Sequence, residues 1–141
     1  MKQQDKELLL KDLCARLPYG VIIQEYNEEY GYADNALNTI GIGYFSIHEA
    51  CIEGTWINRI VNIRPYLRPM TSMTEEEKKE FYTFQYKFTL QTHEYQELNK
   101  ETFSEYSDWL NKKMFDYRDL IPKGLALEAP DGMYNNKEEQ Q

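Results

Sequence analysis

Few side chains in this sequence stand at spacings that chemistry requires, and the histidines and cysteines come first. His48 and Cys51 are separated by two residues, which suits two ligands of one metal ion. A zinc site needs four protein ligands, or three and a water, and no second Cys or His pair completes the set. A thiol activated by an imidazole would pair Cys14 or Cys51 with His93, but no glycine-lined helix N-terminus marks either thiol. Carboxylates are so plentiful that no acid–base pair singles itself out, and Glu28, Glu29 and Glu75 to Glu77 read as solvated. Phosphate loops, dinucleotide fingerprints, nucleophile elbows, HExxH and calcium-loop patterns do not occur. The sequence therefore nominates no catalytic residue, no metal ligand and no cofactor.

Binding is better served. Arg64, Tyr66 and Arg68 fall at alternate positions in RPYLRPMTSMTEEE, and two arginines beside a tyrosine could hold an anion. The simpler reading is scaffolding. Each proline biases its predecessor toward extended backbone, which makes 64–70 a stiff connector, and nearby acids can partner both guanidinium groups. Tyr26, Tyr30 and Tyr32 crowd the acidic stretch EYNEEYGYADN, where packing gives no evident reason for them. Tyrosines among Asn and Gly make adaptable contacts at protein interfaces; capping of a sheet edge is the alternative. Tyr117 and Arg118 form a further aromatic and charged cluster, FDYRD, which reads most simply as an internal ion network.

These residues need elements to position them. Leu9, Leu10, Leu13, Cys14 and Leu17 recur at three- and four-residue steps and predict a helix over 4–17, with Lys6, Glu7, Lys11 and Asp12 on the other side. Pro18 and Gly20 stop it, and residues 21–26, VIIQEY, predict a strand. Residues 27–38 read as a surface connection, 39–45 as a strand bent by two glycines, and 51–57 as a hairpin. Ser72 with Glu75, or Thr74 with Glu77, fits a capping box opening a helix. That helix reaches about Phe84, and the rest of FYTFQYKFTL (81–90), which alternates like a strand as well, stays open. Phe103, Tyr106, Leu110 and Met114 predict a helix over 102–114. Asp116 can cap a short further helix closed by Gly124, and residues 125–127 dock on the core.

Of the 141 residues, 41% are hydrophobic and 14% aromatic, enough to fill one core. The formal charge is −8, which lacks the basic stripe that nucleic-acid binding draws on. DNA, RNA and anionic lipid are disfavoured as partners, and a protein partner fits better. No apolar run approaches the ~20 residues of a membrane span, and no signal-peptide core opens the chain. The expectation is a cytosolic protein with reduced thiols; a homodimer stays open.

Three strings, KDLCARLPYG (11–20), RPYLRPMTSMTEEEKKE (64–80) and DWLNKKMFDYRDLIPKGLALEAPDGMY (108–134), resemble a family of small uncharacterised proteins of gut bacteria and their mobile elements. The resemblance implies a cytosolic, single-domain, phage-linked protein and supplies no activity. It leads to histidine being expected around Lys112, Lys113 and Met114, and glycine at Asp119, where this chain departs.

The fold expected is α+β: an N-terminal helix, a small curved antiparallel sheet of SH3-like half-barrel form, and C-terminal helices packed on it. One domain would cover 1–130, with its sheet part over about 18–64 and its helical part over about 72–127, followed by a disordered tail over 131–141. The function expected is a non-enzymatic protein-interaction module, an accessory protein of a mobile element, with Tyr26, Tyr30, Tyr32, Arg64, Tyr66, Arg68, Tyr117 and Arg118 as its contact residues. The alternative is a small-ligand-binding or hydrolytic domain using a sheet–helix cleft rimmed by Arg64, Tyr66 and Arg68.

Overall fold

The computed structural model describes residues 2–29, 31–36, 62–94 and 100–134. Helix α1 (Gln3–Arg16) leads through a short 3-10 turn to strand β1 (Ile22–Asn27), strand β2 (Gly31–Ala36) and strand β3 (Ile63–Leu67). Helices α2 (Glu75–Glu94) and α3 (Lys100–Lys112) follow, and strand β4 (Leu127–Glu128) completes the sheet. The fold is α+β, with a curled half-barrel sheet in the order β2-β1-β3-β4. β1 is antiparallel to β2 and to β3, whereas β4 runs parallel to β3. The strand expected at 39–45 and the hairpin at 51–57 lie outside the described residues.

Three expectations change. The connection expected over 27–38 contains β2, which pairs with β1 from Ile22↔Ala36 to Asn27↔Gly31. GYADNA has little intrinsic strand preference; the neighbouring β1 backbone supplies it. Gly31, at φ 75, takes the left-handed turn that opens β2. The stiff connector at 64–70 begins as β3, in the middle of the sheet. Pro65 is tolerated there because β4 pairs only from Tyr66 onward, so the proline stands where the strand has one neighbour. Finally, the ambiguous FYTFQYKFTL is helical throughout, within α2.

The core is built by one face of each element. Leu9 and Leu13 of α1 meet Val21, Ile23, Ile63 and Leu67 of the sheet segment, closed by Met114, Leu120, Leu125 and Ala126. Cys14, grouped with the apolar positions, is exposed, and Asp12, placed on the solvent side, is fully buried. The helix is rotated so that an ion network, rather than the thiol, faces inward. α2 and α3 pack ring against ring: Phe81 on Trp109, Phe84 on Tyr106, Phe88 on Phe103. As one number rises the other falls, so the two helices are antiparallel. Such pairs add about 0.5–1.5 kcal/mol each beyond the area they bury.

After α3 the chain turns rather than forming the further helix. Asp116 accepts from Leu120 and Ile121 N–H at 2.8 and 2.9 Å, bracing the turn instead of capping a helix, and Gly124 closes the turn at φ 75. Asp119 takes φ 58, a region that favours glycine and that Asp tolerates better than most residues. The tail expected to be disordered from 131 is anchored as far as Tyr134. Its hydroxyl accepts Ile22 N–H at 2.9 Å and donates to Tyr66 C=O at 2.7 Å. The β1–β3 register, Ile23↔Pro65, would next place Ile22 opposite Tyr66, so the hydroxyl is spliced into the ladder between them. Burial pushes it up to about 12, against the Ile22 N–H and the Arg16 charge, which pull it down. Tyr134→Phe should cost about 1–3 kcal/mol, the penalty for stranding two backbone groups. Urea unfolding measures it; an unshifted midpoint would mean the strands close directly on each other.

Candidate functional site

Strand alternation sorts the candidate residues by face. Along β3, Ile63, Pro65 and Leu67 are buried, while Arg64 is exposed and Tyr66 half-buried. Along β1 the same outer face carries Gln24 and Tyr26, and β2 adds Tyr32 and Asp34. The register aligns Asp34, Gln24 and Arg64 in one row across three strands. Tyr26 lies opposite Tyr32 in the next row, their ring centroids 5.0 Å apart with planes tilted by 54°. The two tyrosines thus sit on paired strands and not in a loop. They remain 41% and 71% exposed. Tyr30 lies outside the described residues, as do His48 and Cys51.

A shallow groove of about 200 Å³ runs beside the rings, lined by Gln24, Tyr26, Tyr32, Asn62 and Arg64. Arg64 forms no ion pair or hydrogen bond with the other described residues. Tyr66 is committed: its hydroxyl donates to Asp34 Oδ1 at 3.0 Å and accepts from Gln24 Nε2 at 3.3 Å. Burial first, and then the bond to Asp34 and its negative charge, raise the phenol above its ordinary value, against the Gln24 bond.

Arg68 is structural. Its guanidinium grips Glu77 with two bonds of 2.8 and 2.7 Å and lies 4.4 Å from the Phe115 ring centroid. It also donates to the backbone oxygens of Lys113 and Ser72. Glu77, read as solvated, is buried. It accepts Thr74 N–H while Thr74 Oγ1 accepts Glu77 N–H, the reciprocal capping box that the sequence spelled. Burial alone would raise its carboxyl; the Arg68 and Thr74 hydrogen bonds and the Arg68 charge outweigh that and hold it at about 2. A second cavity, of about 180 Å³, lies between Arg68, Pro69, Ser72 and the segment 128–134, with its one arginine already bound to Glu77.

Tyr117 and Arg118 belong to a network inside the protein. Asp12 accepts two bonds from Arg16, at 2.9 and 3.0 Å, and one from Arg118 at 2.8 Å. Arg16 also donates to Phe115 C=O. Both guanidinium groups approach the Tyr117 ring, at 5.3 and 4.5 Å, and the Tyr117 hydroxyl donates to Asn111. Asp12 and Arg16 stand four apart on α1, a spacing that brings two side chains together on a helix, and here the pair points inward.

Among the described residues no three His, Cys, Asp or Glu side chains gather as a metal site. Among the described residues, the outer face offers two exposed rings, hydrogen-bonding side chains and the Arg64 guanidinium. No family model, curated protein sequence or solved structure matches this chain.

Proposed function

We propose that this chain is a protein-interaction module whose docking surface is the outer face of β1, β2 and β3. One observation carries the reading: the Tyr26–Tyr32 pair, set side by side by strand register yet open to solvent. Tyrosine offers a large contact area for few rotatable bonds, which is why it is enriched where proteins meet. Arg64 and Gln24 beside it supply directed hydrogen bonds. The small-ligand or hydrolytic alternative loses support here, because Tyr66 is bonded to Asp34 and Gln24 and Arg68 to Glu77, and of the three only Arg64 lines the shallow groove. The charge of −8 favours a protein over a nucleic acid as partner. No described helix is long and apolar enough to cross a membrane. A cytosolic setting and an accessory role on a mobile element follow from the sequence resemblance and belong to the same proposal.

A pull-down from lysate of the source cell should return a stoichiometric protein partner that the Tyr26→Ala/Tyr32→Ala double variant loses. Circular dichroism of the variant should be unchanged, since both rings are exposed. Recovery of the bait alone, or equal capture by the folded variant, overturns the proposal.

A further inference from the structure

The docking surface is electrically lopsided. Residues 21–36, which carry β1 and β2, contain Asp34 on this face, Glu28 and Glu29 in the turn beside it, and no lysine or arginine. Arg64 stands on β3, at the opposite end of the row that begins with Asp34. The exposed rings lie nearer the acidic side. A tyrosine face carries negative charge density and attracts ammonium or guanidinium groups within about 6 Å of its centre. Tyr32 is the more open of the pair. Asp34 is its neighbour on the same face, two residues along β2, which is about 7 Å at strand rise.

We infer that the partner docks through an extended protein segment presenting Lys or Arg at alternate positions, one cation over Tyr32 and the next at Asp34. This rests on the reading of the outer face as a docking surface and adds the chemistry of what docks there. An extended segment repeats its side chains every two residues on one side, which matches the Tyr32–Asp34 step. Glu28 and Glu29, both exposed in the turn between β1 and β2, extend the attraction beyond the rings and should raise the association rate. Arg64 sets the polarity: it repels a segment placed over β3, so the cations run along β2, and it takes a carboxylate or backbone carbonyl of the partner.

The probe is a fluorescently labelled peptide alternating Lys or Arg with Thr, titrated with the full chain at ~0.1 M salt and followed by anisotropy. Any acidic protein attracts such a peptide weakly, so the ring is the discriminating group. Saturable binding should weaken about tenfold in Tyr32→Ala and persist in Tyr32→Phe. It should also weaken in Glu28→Gln/Glu29→Gln and strengthen in Arg64→Gln. A peptide alternating Glu with Thr should not bind. Equal binding by wild type and Tyr32→Ala, or preference for the acidic peptide, overturns the inference. If the lysate partner is lost on removing the tyrosines but the basic peptide does not displace it, the docking face stands and the partner chemistry falls. If the partner is kept on removing the tyrosines, both fall.

Discussion

Asp12→Ala is expected to cost about 3–5 kcal/mol of folding stability, the loss typical of breaking a buried ion pair from one side. Asp12 and Arg16 have no exposed side-chain surface, and Arg118 has 17%. The carboxylate receives three charge-assisted hydrogen bonds, and its removal leaves two guanidinium groups facing each other around Tyr117. A domain of this size holds about 5–15 kcal/mol in all, so the variant should stand near the edge of folding. Urea unfolding at neutral pH reads the loss as a lower midpoint with an unchanged slope. A loss below about 1 kcal/mol would mean that the cluster is hydrated like a surface pair. Replacing Asp12, Arg16 and Arg118 together by apolar residues of similar volume should cost much less than the single change, since no charge is then stranded.

Glu77→Gln should destabilise by about 2–3 kcal/mol and change the shape of the acid limb. The pair is largely dry, with side chains 11% and 8% exposed. The folded protein keeps Glu77 ionised down to about 2, against 4.5 for the ordinary group. The stabilisation is therefore whole above pH 4.5 and is lost as pH falls from there toward 2. Each unit of difference corresponds to about 1.4 kcal/mol, so this one carboxylate accounts for up to about 3 kcal/mol of that limb. Stability measured from neutral pH to pH 2 should fall less steeply in Glu77→Gln than in wild type. Identical slopes would show that Glu77 titrates normally and that Arg68 is held by its other contacts.

Local signals were legible and distant ones were not. The α1 helix and the Thr74–Glu77 box each involve residues within a few positions, and both are present; Asp116 and Gly124 hold a turn where a short helix was expected. β2 was hidden because GYADNA becomes a strand only beside β1. RPYLRP looked like a connector because proline discourages sheets, and its place in the sheet depends on where β4 begins, about sixty residues later. Asp12 was set on the wrong side because apolar periodicity assigns charged residues to solvent, and the partners that bury it, Arg16 and Arg118, form an ion network that periodicity does not register. At the candidate site the residue types were readable: Tyr26, Tyr32 and Arg64 all stand on the outer face. Their grouping comes from register, which also joins Tyr66 to Asp34. Arg68, two positions from Tyr66, is drawn away into the α2 cap.

The Tyr134 hydroxyl is joined to β1 across 112 residues of chain, and β4 reaches β3 only after both long helices have been made. On a ribosome, α1 and the β1–β2 hairpin emerge early but must wait for the chain to reach Tyr134 before the ladder is complete. Until then the backbone of β3 beside Tyr66 stays unzipped, a template for whichever neighbouring nascent strand arrives first. Pro65 within that strand and Pro69 just beyond it, each unable to donate, limit how far such a mispairing could run.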